Sequence, residues 1–316
     1  MAVELAIVIV NWNGGELLRR CVESVLESPP DMPYEMIVVD NASTDESIDW
    51  LRSCGLENLR LLENKENAGF GRANNQAFAA SDAPLLFLLN SDAEVRPGAI
   101  DTLIATLTAD ARTGACGPRL INPDGSLQPS VWRNPMNPLE MLAVGFRLYL
   151  LLPRRLRGEW LLGFHWDHSH RRSANMLSGA AILARREMID DVGGFDERFH
   201  MYGEDTEWCL RIVRGGWWLV FEPRAVVMHH GGQSSAKRWS YLEKRNVEYK
   251  AFFRYQRLCL PRRHVRANLA TGYFITLVQH LYRRLLRRTQ TDETRQVLKL
   301  YTEELRQNLR GRQSES

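Results

Sequence analysis

Pro84-Leu85-Leu86-Phe87-Leu88-Leu89-Asn90-Ser91-Asp92 is an apolar run that ends abruptly in an amide, a hydroxyl and a carboxylate. A short apolar run entered through a proline and left through a polar turn reads as a strand buried on both faces. Asn90, Ser91 and Asp92 then stand at its carboxyl end. In open α/β sheets ligands bind at that edge. A carboxylate displayed there suits a divalent cation held by oxygen ligands. The alternative is a strand followed by a helix-capping turn, since Ser and Asp are also good caps.

The same pattern repeats on both sides of this run. Strand-like segments Leu5–Val10, Glu35–Val39 and Leu59–Leu62 alternate with amphipathic segments near Glu16–Glu27, Asp45–Arg52, Gly71–Ala80 and Pro97–Ala109. Strands alternating with helices imply βαβ units and a parallel, doubly wound sheet. Neither GxGxxG nor GxxxxGK[ST] occurs, so a dinucleotide fingerprint and a P-loop are both excluded. Between Asn134 and Arg172 the pattern breaks, with Pro135, Pro138 and Pro153 and an apolar run Leu139–Leu152 interrupted by Glu140 and Arg147, beside Arg154, Arg155 and Arg157. Its length fits an interfacial or buried segment rather than a membrane span. Regular α/β character returns at Ala180–Ala184, Glu204–Arg214, Trp217–Phe221 and Ala225–Met228, and beyond Trp239 the chain reads as helical.

Composition is that of an ordinary globular chain, 44% hydrophobic and 25% charged, but the net charge of +3 conceals an asymmetry. Residues from Lys237 onward carry +12 and the remainder −9, so an acidic body bears a basic tail. The five cysteines, Cys21, Cys54, Cys116, Cys209 and Cys259, are scattered, with no CxxC pair and no histidine at zinc-finger spacing. That predicts reduced thiols rather than a disulfide framework or structural zinc. The start lacks a basic n-region and no apolar run nears a membrane span, so a cytoplasmic protein is expected.

Chemistry-bearing residues gather at the strand ends. The first strand runs into Asn11-Trp12-Asn13-Gly14-Gly15 and the second into Asp40-Asn41-Ala42-Ser43-Thr44-Asp45, the same edge as Asp92. Asp40 can accept a hydrogen bond from an N–H such as N3–H of uracil or thymine. Ser43 reads as a cap for the helix near Asp45. After the third strand, Asn67-Ala68-Gly69-Phe70-Gly71-Arg72-Ala73-Asn74 places two glycines at a helix start, where backbone N–H groups suit a diphosphate and Arg72 adds a cation. Glu204 and Asp205 open an amphipathic helix whose dipole favours an ionised carboxylate, as a general base must be. The strand ending Met228-His229-His230-Gly231-Gly232 offers His229 as a metal ligand beside Asp92.

In order along the chain, VNWNG (Val10–Gly14), VDNASTD (Val39–Asp45), ENAGFGRANN (Glu66–Asn75), LLNSD (Leu88–Asp92), SGA (Ser178–Ala180), GGFDERF (Gly193–Phe199), GEDTEWCLR (Gly203–Arg211) and HHGG (His229–Gly232) resemble the family 2 glycosyltransferases of the GT-A fold. The likeness is greatest to the bacterial rhamnosyltransferase-like branch that builds cell-surface polysaccharides. It implies a Rossmann-like, mostly parallel central sheet flanked by helices in residues 1–236. Within that domain, 1–120 would bind the nucleotide sugar, 134–172 would be an irregular apolar and basic insertion, and 173–236 would form the acceptor and catalytic half. A basic helical extension, 237–316, would follow.

By position the resemblance assigns Asn11, Asn13, Asp40, Asn41, Asn67, Gly69, Arg72, Asn74, Asn90, Ser91, Asp92 and Gly179 to the nucleotide sugar, with Asp40 at the base. Asp92 and His229 would hold Mg²⁺ or Mn²⁺, and Asn90 replaces the first acid of the family's Asp-X-Asp. Asp205 would be the catalytic base of an inverting transfer, with Glu204 its rival. The expected donor is dTDP-rhamnose or a UDP-sugar, and the acceptor a lipid-linked saccharide or polysaccharide of the cell envelope. Other classes are a sugar-phosphate nucleotidyltransferase, which predicts a Lys/Arg-bearing glycine loop where Trp12–Glu16 stands, and a non-catalytic interaction protein on the same fold. The basic stretch Arg262–Arg288 carries Leu269, Tyr273, Phe274, Leu277, Val278, Leu281 and Leu285 at helical spacing. That suggests peripheral contact with the inner face of an anionic membrane, or packing against the catalytic domain or a second subunit in a homo-oligomer. No nucleic-acid motif accompanies it.

Overall fold

The computed structural model describes residues 2–132, 137–231, 240–286 and 291–309. Gly232 and Ser234, the 236/237 boundary, and Arg287 and Arg288 lie outside them. The chain divides into two compact units, Met1–Arg133 with Leu161–Arg238, and Asn134–Trp160 with Trp239–Ser316.

The first unit begins with the expected alternation. Leu5–Asn11 (β1), Gly15–Glu27 (α1), Tyr34–Asp40 (β2), Ser47–Ser53 (α2), Leu59–Glu63 (β3), Phe70–Ala79 (α3) and Leu85–Asn90 (β4) follow one another, and the strands lie parallel in the order β3-β2-β1-β4. The register pairs Asn11 with Asp40 and Val10 with Asn90, so the polar strand ends share one edge. β4 is buried on both faces: Leu86 and Leu88 pack in one layer with Ala73 and Phe78, and Leu85, Phe87 and Leu89 in the other with Leu18 and Val22.

Next come Ala93–Val95 (β5), Ala99–Thr108 (α4), Thr113–Ile121 (β6) and Leu127–Gln128 (β7). Beyond Pro138–Gly145 (α5) and Arg154–Leu161 (α6) follow Arg172–Ala174 (β8), Ala181–Arg185 (β9), Arg186–Val192 (α7), Glu204–Arg214 (α8) and Trp218–His229 (β10). This half of the sheet is mixed: β9 runs antiparallel to β4 and β6, while β10 runs parallel to β6 and antiparallel to β5 and β8. The expected pair of strands, Trp217–Phe221 and Ala225–Met228, is one strand. Its register shift between Glu222 and Val226 accommodates Pro223, which has no ladder N–H to give. At that bulge the fully buried Glu222 accepts from Thr106, Arg171 and Arg224. Burial alone would raise its pKa, but those hydrogen bonds outweigh burial and hold it at about 2.

The second unit contains α5, most of α6, Tyr241–Cys259 (α9), Arg262–Leu285 (α10) and Thr291–Leu309 (α11). Phe253, Val265, Leu269, Val297 and Tyr301 form its core. Residues 134–160, read in sequence as an insertion in the α/β domain, group with these helices because Gly145 of α5 meets Ile275 of α10 with no room for a Cβ. Residues 161–172 stay with the sheet. The amphipathic stripe expected on α10 divides. Leu269 is buried in the bundle with Tyr273 against it, whereas Phe274, Leu281 and Leu285 are exposed.

Candidate active site

At the carboxyl edge of β1 and β4 the first unit encloses a cavity of about 270 Å³. Of the residues singled out in the sequence, Asn41, Asn67, Gly69, Asn90, Ser91, Asp92, Gly179, Glu204, Asp205 and His229 line it. Among the described lining residues there is neither lysine nor arginine, while three carboxylates face in. Such a wall repels a diphosphate unless a cation is bound with it.

One side of the cavity is a histidine held in a fixed state. His229 ends β10, and its Nδ1 lies 2.7 Å from Gln128 Oε1. The Gln128 amide cannot turn over, because its Nε2 already donates to Asn122 Oδ1 at 2.8 Å and to His229 O at 3.2 Å. Gln128 Oε1 is therefore the acceptor and His229 Nδ1 carries a proton, so the neutral ring presents its lone pair at Nε2. Nε2 faces Asp92 Oδ1 at 3.1 Å, with Asn90 Nδ2 at 3.3 Å. Two acceptors share such a distance when a proton or a cation stands between them. Asp92 and His229 thus fit a divalent ion, with a hydrogen-bonded outer partner as metal-binding histidines have.

The opposite side is the start of α8. Trp208 Nε1 donates to Gly193 O at 3.0 Å, and Arg211 donates to Val192 O and Gly194 O at 2.6 Å each while pairing with Glu207. Phe195 wedges between Phe70 and Trp208. The two motifs GGFDERF and GEDTEWCLR thus clamp each other and aim the helix. Tyr202 and Gly203, both at positive φ, turn the chain into it.

The resemblance prefers Asp205 to Glu204 as the base, and the surroundings of the two carboxylates differ. Asp205 Oδ2 accepts from Gly179 N at 3.2 Å, and Oδ1 from Thr206 N at 2.7 Å. Glu204 is buried and its Oε2 has no hydrogen-bond partner. Burial raises both pKa values; the Asp205 charge adds to the rise at Glu204, while the N–H donors offset part of the rise at Asp205. The two N–H donors favour the anion at Asp205, and no such donor reaches Glu204 Oε2.

This pair gives a stability prediction. Unfolded Glu204 loses its proton in the ordinary carboxylate range and folded Glu204 retains it to higher pH, so its contribution to stability declines as pH rises through that interval. Glu204→Gln is expected to raise Tm at slightly alkaline pH, by roughly 2–4 °C for each kcal/mol relieved, and to change it little at pH 4. Thermal melts across that range check the sign.

Other expected ligands do not line the cavity. Asp40 is 2% exposed, and its carboxylate is occupied by Asn11 Nδ2 at 2.7 Å, Ser43 Oγ at 2.6 Å and Ser43 N at 2.8 Å. Ser43 serves this knot, also accepting from Asn13 N, rather than capping α2, which starts at Ser47. Asn13, at φ +52°, accepts from Thr44 N and closes the same loop. Asn74 is buried in α3 and donates to Phe70 O. Arg72 sits on the outer face of α3, 56% exposed, 3.7 Å from Glu197. Gly69 does line the cavity, but its N–H is used by Asn67 Oδ1, and it is glycine because of its φ of +86° and because a Cβ would stand 2.7 Å from His200 O.

Lining residues that the sequence reading missed include Trp12, Phe70, Ser178, His200 and Tyr202. Gln128 was missed as well, although Asp124-Gly125 is a recognisable hairpin turn that delivers it.

Comparison with known proteins matches this geometry to a family. The model for "Glycosyl transferase family 2" matches residues 6–192. An N-acetylglucosaminyl-diphospho-decaprenol L-rhamnosyltransferase of Mycobacterium tuberculosis is 32% identical over 246 residues, 74% of this chain and 78% of the relative. The O-antigen biosynthesis protein RfbC of Myxococcus xanthus is 27% identical over 238 residues, 74% of this chain and 18% of that one. Among solved structures, a mannosyltransferase from Pyrobaculum calidifontis in complex with GDP-Man and Mn²⁺ shares the fold at 16% identity and TM-score 0.57, covering 99% of this chain and 89% of its own. GalNAc-T7 with UDP, GalNAc and Mn²⁺ does so at 20% identity and TM-score 0.54, over 72% and 44%. With its motifs gathered at one sheet edge, the chain belongs to glycosyltransferase family 2, in the rhamnosyltransferase-like branch, and is a glycosyltransferase of the GT-A fold.

Proposed function

We propose that the chain transfers a sugar, rhamnose from dTDP-rhamnose or the sugar of a UDP-donor, with inversion to a lipid-linked saccharide at the inner face of the cytoplasmic membrane. The Mycobacterium tuberculosis relative, named for a diphospho-decaprenol-linked acceptor, supports the acceptor class. The observation that carries the reading is the cavity itself, a wall with neither lysine nor arginine among its described residues, in which Asp92 and His229 Nε2 face each other. These two residues would hold Mg²⁺ or Mn²⁺, which when bound neutralises the charge of a leaving diphosphate. Asp205 takes the proton of the acceptor hydroxyl, and its raised pKa brings it nearer the working pH, where a general base is most effective. Glu204, protonated, can donate a hydrogen bond where Asp205 cannot. No described helix is long and apolar enough to cross a membrane, so contact with the lipid-linked acceptor would be peripheral.

Thermal shift with nucleotides checks the donor reading. dTDP or UDP with Mn²⁺ is expected to stabilise the protein, and EDTA to remove the shift; a shift that ignores EDTA contradicts it. Gln128 gives a sharper test of the metal site. Gln128→Leu frees the imidazole to change tautomer and is expected to weaken Mn²⁺ binding by roughly 10–100-fold. Gln128→Glu, which still accepts from Nδ1, should recover part of it. Electron paramagnetic resonance of bound Mn²⁺ reads both, and unchanged affinity in Gln128→Leu removes its role.

A further inference from the structure

The link between α5 and α6 carries leucines where a water-facing turn ordinarily carries polar residues. Leu148, Leu150 and Leu151 stand on a single 3-10 turn with Leu152 at its end, and all four are exposed, Leu151 to 84%. Single exposed leucines are common, but a contiguous set marks an interaction surface. The segment is also anchored. Gln279 Nε2 of α10 donates to Gly145 O at 3.1 Å, and Phe146 meets Phe274 edge-on with ring centroids 6.2 Å apart. From Phe274 the exposed apolar side of α10 continues at helical spacing through Leu281 to Leu285, which is 80% exposed. Two stretches more than a hundred residues apart in sequence therefore meet at Phe146 and Phe274 within the helical unit.

Charge distinguishes what can cover this face. Arg147, Arg154 and Arg155 flank the leucine turn and Arg284 sits on α10, all exposed. Neither residues 141–158 nor the whole of α10 contains an aspartate or glutamate. We propose that this face docks on an anionic lipid surface, the leucines and Phe274 entering the boundary of headgroups and acyl chains while the arginines meet phosphates. A second copy is the other occupant an apolar face admits. A two-fold contact would, however, bring the arginines of both copies together, with carboxylates only at the edges of the patch, Glu140 and Glu159, and fewer than the arginines they would have to pair. The purpose of the docking rests on the proposed lipid-linked acceptor, but its test does not.

The test is flotation of the full chain with vesicles of phosphatidylcholine alone or mixed with phosphatidylglycerol. Binding is expected only to the anionic vesicles, and salt should weaken it. Leu148→Glu with Leu151→Glu is expected to reduce the partition at least tenfold, and Arg154→Glu with Arg155→Glu roughly fivefold or more for each charge. Both variants should keep the thermal shift with nucleotide and Mn²⁺, which shows that the catalytic unit is folded. Equal binding to neutral and anionic vesicles, or none, overturns the proposal. So does a dimer by light scattering that Leu148→Glu with Leu151→Glu dissociates, because that assigns the face to a second copy. Lost vesicle binding with intact transfer to a detergent-soluble acceptor leaves the proposed reaction standing; intact binding without transfer leaves the docking surface standing.

Discussion

Asp205→Asn is expected to lower kcat for sugar transfer by about 10²–10⁴-fold, the span that general-base catalysis supplies, with nucleotide-sugar affinity nearly unchanged. The substitution keeps size and an oxygen able to accept from Gly179 N, so α8 should remain in place. It removes the proposed base. Because it also removes a buried charge beside Glu204, the variant should be no less stable than the parent. Loss of turnover therefore cannot be assigned to unfolding, and melting temperature measured with kcat separates the two. A variant that turns over near the parental rate places the base elsewhere.

Asp92→Ala is expected to weaken metal-dependent donor binding on the order of 100-fold or more, the scale at which a bound ion stabilises phosphate charge. The reasoning is electrostatic. Asn90 stands where a second acid would, so Asp92 is the one carboxylate facing His229, and among the described lining residues no Lys or Arg can replace the lost ion. Titration calorimetry with nucleotide and Mn²⁺ reads the effect. Affinity in EDTA should be equally poor in parent and variant, and a parent that binds donor equally well with and without metal rules out the role of Asp92.

The sequence shows most clearly what depends on local pattern. β1 to β4 and their helices follow from apolar runs and polar ends, and the edge that carries Asn90 and Asp92 follows from β4 being buried on both faces. β6 was not legible because Gly114, Gly117 and Pro118 interrupt a strand that its neighbours hold in place. The inner and outer positions of α3 are not separable either: the glycines make Arg72 a candidate beside an anion site, and the resemblance adds Asn74. The helix instead turns Arg72 to solvent and Asn74 to the core. Asp40 shows a further limit, since a carboxylate that binds a base and one that knots its own loop through Ser43 and Asn11 have the same sequence. Ranking Glu204 against Asp205 required the Gly179 N–H, which comes from a distant segment.

The most direct measurement of the central claim is the anomeric configuration, by proton NMR, of the first product formed from dTDP-rhamnose or a UDP-sugar with Mn²⁺ and a polyprenyl-diphosphate-linked saccharide. A single in-line displacement with Asp205 as base predicts transfer with the anomeric centre inverted. Transfer with retained configuration, or donor consumption that yields no glycosylated acceptor, contradicts it.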